Sequence, residues 1–212
     1  MNRNHNYVIV HIKKYRLVYF FMLVLFLIGV IFGAVIVNSM DFVQKQDLYF
    51  YLDQFMNQLL EGSTVEKQEL FKTSFSYHLQ YLLLFFILGL SVIGLPIIWI
   101  LMFIKGVVVG FSVGFFVNQL GWKGLVFAAA SIAPQNLFVI PIYLLASSVA
   151  MIFSLALFQK LFSRRIQQPT FRPFLQYVVV FILFIGIATI AAFVESVVSS
   201  SAMKLVISWL YN

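Results

Sequence analysis

The sequence predicts an all-α polytopic membrane bundle of about five spans, with one arm that either re-enters or crosses and a helical hairpin outside the bilayer. Three observations carry that prediction. The 212 residues are 62% hydrophobic and only 10% charged, a composition of membrane proteins. Apolar stretches are long enough to span a hydrocarbon core of about 30 Å. The charges are segregated: six of the seven acids (Asp41, Asp47, Asp53, Glu61, Glu66, Glu69) fall between residues 38 and 80, whereas basic residues crowd residues 3–16 and 160–172. Lys and Arg next to spans mark cytoplasmic segments, so the amino terminus is expected inside and the carboxyl terminus outside the cell membrane. The same rule accounts for the basic clusters without nucleic acid.

Residues 1–16 form the basic amino-terminal segment and residues 17–37 the first span. Its apolar run exceeds the 7–15 residues of a signal peptide and lacks a small-x-small cleavage site, so it reads as a retained anchor. Residues 38–80 read as an acidic, extracytoplasmic hairpin. Leu48, Leu52, Phe55 and Leu59, widened by Met56 and Leu60, make an amphipathic helix. Gly62 ends it, and Ser63 with Glu66 supplies a capping box for the next helix. The second span is expected at 81–104, with Lys105 at its cytoplasmic end, and a short third span at 106–117. Residues 125–133 read as a half-inserted arm, Pro134-Gln135-Asn136 as its corner, and 137–158 as span four, with Pro141 inside the broken-helix region 133–141. A basic cytoplasmic loop (159–173), span five (174–198) and a tail (199–212) complete the chain.

A helix broken at membrane depth must have its freed polar groups covered or wetted. Gln135 and Asn136 therefore either cap the break or bind a substrate. Gly106, Gly110 and Gly114, spaced four apart, permit close helix packing; the same spacing recurs at Ala146, Ala150 and Ser154 and at Ala188, Ala192 and Ser196. Glu195 is the sole acid inside an expected span. It reaches interfacial water, hydrogen-bonds the Gln135/Asn136 corner, or serves an ion or proton. Lys105 is expected to snorkel to the boundary. Tyr49, Phe50 and Tyr51, with Asp53 and Asn57 on the polar side of the hairpin helix, either contact a partner or lie in the lipid interface.

Catalysis finds no support. There is no cysteine, His5 and His11 lie in the basic amino terminus, and His78 stands without a second ligand at metal-binding spacing. No catalytic residue, metal site or cofactor is expected. A scaffold and a small transporter or permease-like subunit are the two functional classes left. A transporter is expected to carry more than one buried ionisable group, and these spans show only Glu195.

The basic segment before one span, the acidic hairpin, Leu95-Pro96, Lys105-Gly106-Val107-Val108-Val109-Gly110-Phe111, the Pro134–Pro141 element and Ala192-Phe193-Val194-Glu195 together resemble the stage II sporulation protein M family over nearly the whole chain. In the wider family the fourth-span element is similar to His-Gly-x-x-Glu-x-Pro; here Gln135, Asn136, Val139 and Pro141 stand at those positions, so its ionisable pair is missing. The resemblance implies a non-enzymatic role in endospore formation. The chain would anchor two membrane-associated peptidoglycan hydrolases, a glycan-strand-cleaving enzyme and an amidase/endopeptidase, that thin the septal wall during engulfment by the mother-cell membrane. The partners implied are those hydrolases and the lipid bilayer, with homo-oligomerisation left open.

Overall fold

A computed structural model of the chain describes residues 10–60, 67–162, 171–199 and 206. Six helices account for most of them: α1 (Arg16–Ser39), α2 (Phe42–Leu60), α3 (Lys67–Gly89), α4 (Gly94–Ser131), α5 (Ala133–Phe162) and α6 (Phe171–Val194), followed by a π-helical turn at Glu195–Ser199. No strand occurs among the described residues. Among the described residues four helices are long and apolar enough to cross a membrane: α1, α4, and the apolar lengths Asn136–Lys160 and Arg172–Val197. The expected all-α membrane bundle is therefore the observed class. α3 carries Lys67, Glu69 and Lys72 in its first turns, yet buries Leu82 and Phe85 in the same core as the others.

Two packing units make the bundle. In the first, α1 and α4 run parallel: Gly29 and Gly33 of α1 meet the α4 backbone at Phe103, Gly106 and Val107, while Gly106 and Gly110 meet α1 at Phe26 and Val30. Apolar chains have no hydrophobic drive to associate inside lipid, so dispersion across such close backbone approaches supplies the contact. In the second, α3, α5 and α6 pack together. Tyr177 of α6 donates from its hydroxyl to the Phe86 carbonyl of α3 at 2.9 Å, and Ser154 of α5 donates to the Ser91 carbonyl at 2.8 Å. Met22, Phe26, Ile98 and Met102 from the first unit join Leu82, Phe85, Tyr143 and Phe181 from the second in one buried cluster. Outward-facing Leu17, Phe20, Ile31, Ile182 and Leu183 are exposed, as a lipid-facing surface requires.

Three breaks divide these helices, and the first falls elsewhere than expected. The connection between α3 and α4 lies at residues 90–93, not at Lys105, and α4 runs uninterrupted through Lys105. Pro96 sits in the first turn of α4, where a missing N–H costs no helical bond. The second break is at Gly121, whose φ of 57° is open to glycine and strained for other residues. Beyond it residues 122–131 fold back, with Phe127 edge-on to Phe116 at 4.9 Å between ring centroids. The third lies at Ile132, two residues before the expected corner: Pro134, Gln135 and Asn136 fall in the first turn of α5, and Pro141 is carried inside that helix.

The expected hairpin is part helix and part bundle. Leu52 and Met56 of α2 cover Phe116 and Phe127, with Val206 joining the same small cluster. The Gly62 terminus and the Ser63/Glu66 capping box lie outside the described residues. Arg16, Lys160 and Arg172 share the end of the bundle formed by the 90–93 turn, and the acid-bearing helix α2 lies at the other end.

Candidate functional site

Lys105 is the starting point, because it is buried in mid-helix rather than snorkelling from a helix end. Its surroundings explain how. The ammonium lies 5.3 Å from the ring centroid of Tyr77, 5.6 Å from that of Tyr81 and 5.2 Å from that of Tyr143. A cation over a desolvated aromatic face gains about 2 kcal/mol or more. Tyr81 and Tyr143 are stacked with each other, which fixes two walls of this enclosure. Glu195 supplies the opposite charge.

His78 closes the cluster. Its residue is 4% exposed, its Nδ1 lies 3.0 Å from the Tyr143 hydroxyl, and its Nε2 faces Glu195 Oε2 at 3.5 Å. The tautomer that accepts from Tyr143 at Nδ1 carries its proton on Nε2, directed at the carboxylate. At 3.5 Å the pair is within ion-pair range, but Nε2 lacks hydrogen-bond alignment to any group. Nor is Glu195 simply an interfacial residue: its side chain is 25% exposed and looks into the bundle from the start of the π-helical turn. Such turns shift side-chain register and recur where a helix places a functional group.

Of these residues Tyr77, His78, Lys105 and Glu195 line a cavity of about 350 Å³, together with Thr73, Ser74, Ser112, Asn136 and the valines Val108 and Val109. Asn136 lines it from the α5 side and donates through Nδ2 to the Ile132 carbonyl at 2.9 Å, so the amide both caps the break and borders the cavity. The site draws His78 from α3, Lys105 from α4, Tyr143 and Asn136 from α5 and Glu195 from the last turn. No group of three metal-ligating residues occurs among the described residues.

The remaining expected residues lie apart from this cavity. Pro134 is half-buried and Pro141 exposed on α5; only the backbone of Gln135 is described. Gly106, Gly110 and Gly114 face α1, where Gly29 and Gly33 answer them. That second pair was equally visible in the sequence, at the same spacing. On α2, Phe50 and Tyr51 are 66% and 68% exposed, Tyr49 is less so, and Asn57 donates to Asp53 at 3.1 Å on the same face. His78, read as solitary, belongs to the cluster; its partner Glu195 is too remote in the chain for any spacing motif to join them.

An all-helical bundle with lipid-facing sides and a charge cluster gathered among its helices defines a polytopic integral membrane protein. The chain belongs to the stage II sporulation protein M family, whose model matches residues 22–200, from α1 beyond the π-helical turn. It is thus a sporulation-related membrane protein, of a family not known for enzymes. No curated protein and no solved structure gives a significant match.

Proposed function

We propose that the chain is a membrane scaffold that recruits and anchors two peptidoglycan hydrolases, a glycan-strand-cleaving enzyme and an amidase/endopeptidase, for septal wall thinning and engulfment. The observation that carries this reading is the face of α2: Phe50 and Tyr51 stand exposed beside Asp53 and Asn57, while the opposite face, Leu52 and Met56, is seated on the bundle. The helix is held by one side and presents aromatic side chains on the other, the arrangement of an interface anchor. With the basic end of the bundle in the cytosol, α2 faces the wall. Phe50→Asp, and separately deletion of residues 44–76, should reduce co-purification of both hydrolases by at least about 30-fold, the loss of one strong anchor, while the protein stays inserted. Undiminished capture by either variant overturns the reading; loss of membrane insertion instead would assign α2 to the lipid interface.

A small transporter or permease-like subunit is the second reading, favoured by the cavity. The expectation that the spans lack multiple buried ionisable groups does not hold, because Lys105, His78 and Glu195 meet there. Glu195→Gln separates the two: normal engulfment in that variant counts against transport and leaves scaffolding intact.

A further inference from the structure

We propose that the cavity between α3, α4 and α5 binds an amino zwitterion, a molecule with a primary ammonium and an anionic oxygen group a few bonds apart. The proposal goes beyond the scaffold reading and stands without it. Size is the first argument. At about 350 Å³ the cavity far exceeds the roughly 30 Å³ share of one water and falls within the range of small-molecule sites, about 300–1,000 Å³. Charge is the second. Lys105 and Glu195 enter the same cavity from different helices with opposite sign. A lone anion beside Lys105 would also face the Glu195 carboxylate and a lone cation beside Glu195 the Lys105 ammonium, whereas a zwitterion sets each of its ends against the complementary charge, its anionic oxygens toward Lys105 and its ammonium toward Glu195. His78 is the third: its buried Nε2 stands 3.5 Å from Glu195 Oε2 but without hydrogen-bond alignment to it or to any other group, so a better-placed acceptor in the cavity would take that N–H. In the tautomer described above, this N–H donates to an anionic ligand oxygen. Thr73, Ser74 and Asn136 add neutral partners.

The mouth indicates two sources for this chemistry. Tyr77 and Val108, from α3 and α4, are 45% and 49% exposed, so the opening faces sideways between two helices toward lipid. Thr73 and Ser74 lie toward the α2 end and its aqueous edge. A phosphoethanolamine lipid headgroup would enter by the first route, a free amino acid or dipeptide by the second.

The test uses the full-length protein in two arms. In detergent, thermal unfolding is followed with each of the common L-amino acids, D-alanine and alanyl-alanine, against acetate and ethylamine as singly charged controls. In nanodiscs of phosphatidylglycerol alone or mixed with phosphatidylethanolamine, unfolding and lipid retention by native mass spectrometry are compared. A rise in Tm of about 2–4 °C or more with a zwitterion in one arm, unmatched by the controls, is expected. It should disappear in Lys105→Gln and Glu195→Gln. Because those variants could be damaged in folding, Ser112→Met supplies an independent check: it fills the cavity without removing a charge, and the Ser112 hydroxyl is occupied only with the Val108 carbonyl of its own helix, at 2.9 Å. Response in neither arm, equal response to acetate or ethylamine, or an undiminished response in Ser112→Met overturns the proposal.

Discussion

Lys105 is tolerated in the middle of α4 because its charge is met on several sides, by three tyrosine rings and by Glu195. Removing one member of such a group strands the other, which costs more than removing both. Lys105→Met and Glu195→Gln should each destabilise the bundle by about 2 kcal/mol or more, and the double variant by less than their sum, with a coupling of about 1–3 kcal/mol. Equilibrium unfolding in mixed micelles measures it; strict additivity would deny that the two residues act together. Tyr177 separates two effects of different size. Its hydroxyl bond to Phe86 contributes about 0.6–1 kcal/mol by the measure of other membrane proteins, whereas its ring packs on Phe86, Phe153 and Phe181. Tyr177→Phe should therefore cost at most about 1 kcal/mol and Tyr177→Ala about 3–5. At this scale the sequence was least legible. A lysine between apolar runs has the same appearance at a membrane boundary as in a cluster inside the bundle, and only the meeting of positions 78, 105, 143 and 195 decides between them.

Helices and their apolar faces were far more legible than their joints. The small-residue ridges at Ala146, Ala150 and Ser154 and at Ala188, Ala192 and Ser196 are all buried, since spacing by four repeats a helix face. The first joint was misplaced because Lys105, a charge between apolar runs, was read as the inner end of a span, and the last by two residues because proline was weighted as a breaker at positions 134–141, although a proline in a first turn disturbs nothing. The glycines offer a test of opposite signs. A Cβ at Gly110 would meet the Val30 backbone, with the nearest carbons at 2.7 Å, whereas Gly186 has nothing within 4 Å. Gly110→Ala should loosen the α1–α4 pair and lower stability by about 1–3 kcal/mol. Gly186→Ala should raise it by about 0.5–1 kcal/mol through reduced unfolded-state entropy. Unfolding midpoints of the two variants moving in the same direction would contradict the packing described.

For the whole molecule, the asymmetry of charge is the property that connects fold to role. Arg16, Lys160 and Arg172 gather at one end and α2 at the other, and the proposed scaffold role requires the orientation that puts the exposed Phe50 and Tyr51 on the wall side and the basic end in the cytosol. This asymmetry was plain in the sequence, because positive-inside bias depends on where charges fall along the chain and not on how the helices pack. That Leu52 and Met56 seat α2 against Phe116 and Phe127 was not, since contact between distant segments leaves no local pattern. Orientation is also the premise on which wall-facing recruitment stands. The chain has no cysteine, so single cysteines introduced at Gln54 on α2 and at Lys160 near the end of α5 can be labelled in intact cells with a membrane-impermeant maleimide. The account predicts labelling at position 54 before lysis and at position 160 only after it; labelling of position 160 in intact cells, with position 54 protected until lysis, would contradict it.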